Sequence, residues 1–173
     1  MTFIDLALKR KSIRKYAEGG EVTKEQLDAI LKAAQHAPSA GNKQPWHFYV
    51  IRNAAVKKAL CEAAYGQGML TSAPVVIAVI ADKERCAERY EDRGRELYCL
   101  QDTAAAIQNM LLCACDLGLG TCWMGAYDEG EVVKILDLKE NMRPVALISL
   151  GVPAMDPAPR GRRDIGEIVT YIG

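Results

Sequence analysis

The sequence predicts a layered α/β or α+β domain, because helical and extended patterns alternate along the chain. Three observations carry this prediction: amphipathic helical segments, short runs rich in β-branched and aromatic residues, and one long Ala-rich stretch with apolar residues at helical spacing. With 173 residues, 50% of them hydrophobic and 25% charged, the chain can bury a core, and we expect one domain over residues 1–173. The same composition excludes an intrinsically disordered protein.

The first half of the chain predicts three helices and two strands. A short helix is expected over residues 3–8, and Thr23 begins a capping box for a second helix that Pro38 ends. Residues 46–52 predict a strand, and residues 54–64 predict a third helix. Residues 74–81 (PVVIAVIA) are apolar without alternation, which is typical of a strand covered on both faces.

The second half begins with a charged segment. Residues 83–96 alternate in charge and predict either a solvated helix or a flap. Residues 97–117 predict the central buried helix, which Gly118 and Gly120 are expected to end. Residues 121–124 and 145–150 predict further strands, and Asp128 is placed to cap a helix between them.

The net charge, the length of the apolar stretches and the first residues predict the partners and the location of the protein. Lys and Arg number 22 and Asp and Glu number 22, which argues against a dedicated duplex nucleic-acid binder. No apolar stretch approaches the ~20 residues that span a bilayer. The first residues lack the basic-then-apolar order of a signal peptide. We therefore expect a cytoplasmic protein that binds neither nucleic acid nor membrane.

Cysteine and histidine give little sign of a metal site. The six cysteines include no Cys-x-x-Cys pair, and His36 and His47 stand alone. The cysteines are interpreted as small, buried apolar residues in a reducing compartment. We therefore expect no bound metal.

Basic residues cluster near both ends of the chain. Eight of the 22 lie within residues 9–15 and 160–163, and the ends of a domain often lie close together. Several guanidinium groups and the hydroxyl of Ser12 would suit a phosphate dianion. No glycine-rich phosphate loop is present, so side chains would have to hold such a group. The alternatives are two solvated basic patches or a polybasic membrane contact.

Two further segments have the character of a ligand site. A turn between Pro38 and Pro45 carries hydroxyl and amide groups that can hydrogen-bond the edge of a heterocycle, on Ser39, Asn42 and Gln44. Small residues around Met124 and Gly125 would let backbone amides approach a flat ligand. Taken singly, an ordinary turn explains each segment as well.

Together and in this order, these features resemble the FMN-dependent nitroreductases, specifically their short members. The similar segments are residues 10–16 (RKSIRKY), 37–46 (APSAGNKQPW), 118–125 (GLGTCWMG), 151–153 (GVP) and 160–162 (RGR). The resemblance runs from about residue 3 to residue 169. Lys11 stands where many members of the family have arginine.

The resemblance implies a three-layer α/β/α fold with a central mixed, mainly antiparallel sheet. It also implies a homodimer with FMN at the subunit interface and NADH or NADPH as the electron donor. The phosphate would be held by Arg10, Ser12, Arg160 and Arg162, and Lys11 would be a further cofactor-binding residue. Arg14 would lie near the flavin pyrimidine edge, and Met124 and Gly125 near its N5 atom. Gln67 and Pro38 would make further cofactor contacts, and the neighbouring subunit would contribute Ser39, Asn42 and Gln44.

The implied chemistry fits a sequence without an evident nucleophile or triad, because a flavin carries the hydride transfer itself. A cation such as Arg14 would stabilise the negative charge of the reduced ring. The function expected is ping-pong transfer of hydride from NAD(P)H to nitroaromatic, quinone or flavin acceptors. The chain is shorter than better-studied members, and residues 83–96, including Tyr90, are a candidate replacement flap.

Three other functions stay open at this point. One is a non-enzymatic protein that binds or sequesters FMN, and another is a dehalogenase or dehydrogenase on the same fold. The third is an anion-binding surface protein without flavin.

Overall fold

A four-stranded antiparallel sheet forms the middle of the molecule, in a computed structural model that describes residues 1–173. Its strands are β1 (Trp46–Ile51), β2 (Val75–Asp82), β3 (Gly120–Met124) and β4 (Met142–Gly151), in the order β1-β2-β4-β3. The only parallel pairing is an isolated bridge between Ser12 and Thr121, which adds the N-terminal basic segment to the outer edge of β3. The predicted α+β class is confirmed.

Seven α-helices surround the sheet. They are α1 (Phe3–Lys9), α2 (Lys24–Gln35), α3 (Ala54–Ala63), α4 (Met69–Ser72), α5 (Lys83–Arg93), α6 (Cys99–Asp116) and α7 (Glu129–Ile135). The two predicted caps are confirmed: the Thr23 side chain accepts from the backbone N–H of Gln26, and the Asp128 side chain from that of Glu131. None of the helices is long and apolar enough to cross a membrane.

The apolar run of β2 is covered on both faces, as predicted. Val75, Ile77 and Val79 pack in one core cluster with residues of α2 and α6. The alternate residues Val76 and Ala78 pack in a second cluster with residues of α3 and α7. Because successive strand side chains point to opposite faces, this segregation produces three layers, helix on sheet on helix.

The boundary between α5 and α6 differs from the prediction. The central helix begins at Cys99 rather than at residue 97, and a π-helical turn (Gly94–Tyr98) precedes it. Helix α5 is kinked at Glu91, whose backbone has φ 49° and ψ −134°. A Cβ at Gly94 would lie 2.5 Å from the carbonyl oxygen of Cys86, so the two segments approach more closely than any other residue permits.

Gly120 was predicted to end the central helix, but it lies inside β3. Gly118, with φ 74°, is the glycine that follows the helix C-terminus. A Cβ at Gly120 would come within 2.8 Å of three side-chain atoms of Ile13. The glycine therefore serves a long-range contact, because it lets the N-terminal basic segment lie directly against β3.

Lys57 is a buried lysine that the sequence analysis missed. It is 8% exposed, and its ammonium donates to the carbonyl of Ala73, 2.6 Å away, at the end of α4. No carboxylate pairs with it, and burial lowers its pKa. Lys57 thus fixes α4 against α3, next to the turn that carries Gln67.

Three cysteines, Cys86, Cys99 and Cys122, are buried, and the other three are half-buried. All six are free thiols. The interpretation of the cysteines as buried apolar residues is therefore confirmed for Cys86, Cys99 and Cys122. The other three cysteines are only half-buried.

Candidate functional site

The two basic segments meet in one cavity, of about 850 Å³. From the N-terminal side it is lined by Arg10, Lys11, Ser12 and Arg14, and from the C-terminal side by residues 157–160 and Arg162. The expected convergence of the chain ends is thereby found. Another cavity, of about 550 Å³, lies between α2 and β1 and is lined by none of the predicted site residues.

Backbone hydrogen bonds hold the two ends of the chain side by side. The N–H of Ala17 donates to the carbonyl of Val152 at 2.9 Å, and the N–H of Ala154 donates to that of Lys15 at 3.0 Å. The Lys11 ammonium and the Asp156 carboxylate form an ion pair at 2.6 Å. These contacts place the segment after β4 beside the segment after α1.

Helix α1 delivers the first basic segment to the cavity. A capping box of Thr2 and Asp5 begins the helix, and the chain becomes extended at Arg10, with φ −58° and ψ 123°. The N–H of Ile13 then donates to the Thr121 carbonyl of β3 at 2.8 Å. Arg10, Ser12 and Arg14 alternate along this extended backbone and line the cavity, and Lys11 between Arg10 and Ser12 lines it as well.

Tyr16 fastens this segment to the sheet. Its buried hydroxyl donates to the carbonyl of Ile13 at 2.9 Å and lies 2.6 Å from the hydroxyl of Ser149 in β4. Since the tyrosine proton goes to Ile13, the Ser149 hydroxyl is the donor in the second bond. Burial raises the pKa of Tyr16, so the phenol stays neutral and structural.

The cavity carries a surplus of positive charge. Lys11 is paired with Asp156, but Arg10, Arg14, Arg160 and Arg162 have no carboxylate within 4.0 Å. Arg162 donates only to the backbone carbonyls of Arg160 and Gly161, at 3.1 and 3.0 Å. Like charges gathered around one space repel each other, and a bound dianion would relieve that repulsion. The cavity therefore fits a phosphate group.

The turn between Met124 and Ala126 offers exposed backbone beside the sheet. The Met124 side chain is buried in the core, whereas Gly125 is exposed and a Cβ there would meet nothing within 4 Å. Gln67 supports the turn, because its amide donates to the carbonyls of Ala126 at 2.8 Å and Ala64 at 3.1 Å. A flat ring could approach this open backbone.

The polar loop, residues 38–45, lies elsewhere in the chain and does not line the basic cavity. Some of its polar groups hydrogen-bond to each other. The backbone N–H of Gln44 donates to the Ser39 hydroxyl at 3.0 Å, and the side-chain amide of Gln44 donates to Oδ1 of Asn42 at 3.1 Å. Asn42 and Gln44 both have positive φ, at 55° and 50°. Pro38 and Asn42 are exposed. Within one chain, the loop and the basic cavity are thus separate features.

Asp102 anchors the polar loop, and the sequence analysis missed it. Its buried carboxylate accepts from the N–H of Ala40 through both oxygens, at 3.1 and 3.2 Å. The Cys86 thiol donates to it at 3.5 Å, and burial raises the pKa of that thiol to about 12. Burial also raises the pKa of Asp102. A sequence signal existed, since Asp102 lies one helical turn before Ala106 on the apolar face of α6.

Comparison with known proteins gives one consistent assignment. The sequence profile of the Nitroreductase family matches residues 7–68 and 58–152. An Archaeoglobus fulgidus protein provisionally named NADH dehydrogenase/NAD(P)H nitroreductase is 40% identical over 149 residues, which cover 83% of this chain and 81% of that protein. The NADH dehydrogenase of Thermus thermophilus is 33% identical over 192 residues, and the matched region covers 95% of this chain and 93% of that protein.

A solved structure agrees with these sequence relatives. The nitroreductase family protein from Clostridium novyi superposes with a TM-score of 0.78 at 33% identity, over 88% of this chain and 86% of that one. Sequence and fold therefore lead to the same conclusion: the chain belongs to the nitroreductase family.

Proposed function

We propose that this protein is an FMN-dependent oxidoreductase that passes hydride from NAD(P)H to nitroaromatic, quinone or flavin acceptors. The observation that carries the proposal is the cavity of unpaired arginines where the chain ends meet, because it suits the phosphate of FMN. Two relatives support the electron donor by their names: the NADH dehydrogenase of Thermus thermophilus and a Bacillus subtilis FMN reductase [NAD(P)H], which is 32% identical. The cytoplasmic location stays a prediction.

The residues divide into two roles under this proposal. Arg10, Lys11, Ser12, Arg160 and Arg162 would hold the phosphate, and Met124, Gly125 and Gln67 would lie along the ring. Bound FMN supplies the hydride-transfer chemistry. The Arg14 guanidinium, fixed in charge and without a carboxylate partner, would stabilise negative charge that develops nearby. NAD(P)H and the acceptor would use one site in turn, which is a ping-pong order.

We also propose that two copies of the chain form the site. Apolar residues of α1 and of the C-terminal segment are uncovered in a single chain, among them Phe3 (68% exposed), Leu8 (76%), Ile168 (57%) and Ile172 (94%). Large apolar side chains left exposed in a single chain favour association with a second copy. In a dimer, Pro38, Ser39, Asn42 and Gln44 of the polar loop would reach the flavin of the other subunit.

Light scattering on the eluting protein tests the dimer. The expected mass is twice that of the chain, because burial of the uncovered apolar residues favours association. Replacing Ile168 and Ile172 with glutamate should shift the mass toward one chain. The matched control places glutamate at Thr170 and Gly173, which are also in the exposed C-terminal segment but lack apolar bulk, and should leave the mass unchanged. A wild-type protein with the mass of one chain would overturn the dimer.

Rapid mixing under anaerobic conditions tests the reaction itself. The purified protein should carry visible flavin absorbance, and NADH or NADPH should bleach it without any acceptor present. Menadione or nitrofurazone added afterwards should restore the absorbance, because the acceptor follows the donor in a ping-pong order. A yellow protein that neither nucleotide bleaches would point to an FMN-sequestering function, and a protein that binds no FMN would overturn the proposal.

A further inference from the structure

A second group of arginines without carboxylate partners lies on the charged segment that joins β2 to α6. Arg89 and Arg93 of α5, with Tyr90 and Tyr98, form what is called here the arginine–tyrosine cluster. None of the four lines the cavity between the chain ends. The cluster is therefore a separate basic feature that the phosphate of FMN does not require.

Within the cluster, the two arginines flank a pair of tyrosine rings. The Arg89 guanidinium lies 5.4 Å from the centre of the Tyr90 ring, and the Arg93 guanidinium lies 5.3 Å from that of Tyr98. The two rings meet edge to face, 5.1 Å apart at 85°. Arg93 also donates from Nε to the Tyr98 hydroxyl at 2.9 Å. Cation–π contacts of this kind orient the guanidinium groups while they stay charged.

The cluster lies against the tip of the polar loop. A Cβ at Gly41 would come within 2.8 Å of the Tyr90 hydroxyl oxygen and 3.2 Å of Nη1 of Arg89. Helix α5 is further tied to this loop, because Arg85 donates to the carbonyl of Lys43 at 2.6 Å and Lys43 pairs with Glu88 at 2.6 Å. The cluster thus adjoins the residues proposed to reach the flavin.

Nearby carboxylates do not neutralise the two arginines. Glu84 and Asp92 both pair with Arg95, at 2.9 and 2.7 Å, and Glu88 pairs with Lys43. Glu91, at the kink, forms no ion pair with either arginine of the cluster. Both guanidinium groups are exposed, and that of Arg89 makes no hydrogen bond within the chain. The donors of Arg89 and the two terminal amino groups of Arg93 are therefore free for an anionic ligand, whereas the Arg93 Nε is used by Tyr98.

We propose that the arginine–tyrosine cluster binds the phosphate-bearing adenosine portion of NAD(P)H. The proposal rests on the proposed function, since it places the cluster beside the flavin through the polar loop. A dinucleotide whose nicotinamide faces the flavin extends its phosphates away from the ring, where a second group of residues can bind them. Arginine forks suit phosphate oxygens, and the half-buried rings of Tyr90 and Tyr98 hold the two guanidinium groups in place beside each other. Under this proposal, the segment predicted as either a solvated helix or a flap is a nucleotide-binding element.

The test compares donors with and without phosphates in the double variant Arg89→Gln/Arg93→Gln. The KM for NAD(P)H should rise about tenfold or more, because each substitution removes a charge-assisted hydrogen bond to a phosphate. The KM for 1-benzyl-1,4-dihydronicotinamide, an uncharged donor without phosphates, should not change. The control is Lys58→Gln/Lys139→Gln, which removes the same charge from two exposed lysines without ion pairs.

A binding measurement gives a readout that does not depend on turnover. Calorimetric titration with ADP-ribose and with its 2′-phosphorylated form should show weaker binding in the double variant than in the wild type. A larger loss for the 2′-phosphorylated form assigns the arginines to that phosphate, and equal losses assign them to the diphosphate. Unchanged binding, or equal rises in KM for both kinds of donor, would overturn the site.

The two proposals fail in different ways. If wild-type protein binds ADP-ribose but neither nicotinamide nucleotide reduces it, the site stands and the electron donor of the proposed function is wrong. If NAD(P)H reduces wild type and double variant with equal KM, the proposed function stands and the site is wrong.

Discussion

Arg10→Ala is expected to weaken FMN binding about tenfold or more, and Arg162→Ala is expected to do the same. Each change removes a guanidinium that lines the cavity between the chain ends and has no carboxylate partner. A hydrogen bond between a charged donor and phosphate contributes roughly 1.5–3 kcal/mol, which sets the expected range. Fluorescence titration of the apoprotein with FMN measures the effect.

Riboflavin provides the decisive comparison, because it has the same ring system without the phosphate. Both variants should bind riboflavin as the wild type does, since the arginines are assigned to the phosphate alone. Arg163→Ala is the matched control: Arg163 neighbours Arg162 but pairs with Glu167 at 3.1 Å and does not line the cavity. Equal losses for FMN and riboflavin, or no loss for FMN, would show that the phosphate lies elsewhere.

The layers of the fold were predictable because they depend on local pattern. β2 reads as a continuous apolar run, since its alternate residues enter two different cores. The caps at Thr23 and Asp128 were found because a capping hydrogen bond joins residues three apart in sequence. Such features need no knowledge of the tertiary structure.

The misplaced boundaries have tertiary causes. In the sequence, Gly120 resembles a residue that ends a helix. In the structure, a side chain at position 120 would clash with Ile13, which is more than a hundred residues away in sequence. The π-helical turn at Gly94 depends on close packing against the backbone of Cys86. Neither contact leaves a periodic signal, so sequence pattern alone could not locate it.

The candidate site was only partly predictable. Charge clustering indicated that the basic residues of 9–15 and 160–163 could converge, and five of these eight residues line one cavity: Arg10, Lys11, Arg14, Arg160 and Arg162. The support of the polar loop by Asp102 was not foreseen, because a single acidic residue in an Ala-rich helix resembles an ordinary solvated charge. Likewise, the sequence shows Arg89 and Arg93 within a run of alternating charges, and only the structure shows that neither forms an ion pair.

Asp102→Ala is expected to lower the free energy of unfolding by roughly 1–3 kcal/mol, because the N–H of Ala40 loses its acceptor. Asp102→Asn keeps an acceptor oxygen at the same place and should restore most of that loss at neutral pH. Urea denaturation of the three proteins measures the difference. A loss in the asparagine variant equal to that of the alanine variant would show that the hydrogen bond to Ala40 is not the cause.

The same residue predicts a pH dependence whose sign follows from burial. Burial raises the pKa of Asp102 in the folded state, so the folded protein holds this proton more tightly than the unfolded chain. The stability advantage of wild type over Asp102→Asn should therefore decrease as pH rises from the unfolded pKa through the raised folded pKa, and stay constant above it. Asp116→Asn, at an exposed position of the same helix, is the matched control substitution. An advantage that grows with pH would mean that the hydrogen bonds to the Asp102 carboxylate outweigh the effect of its burial.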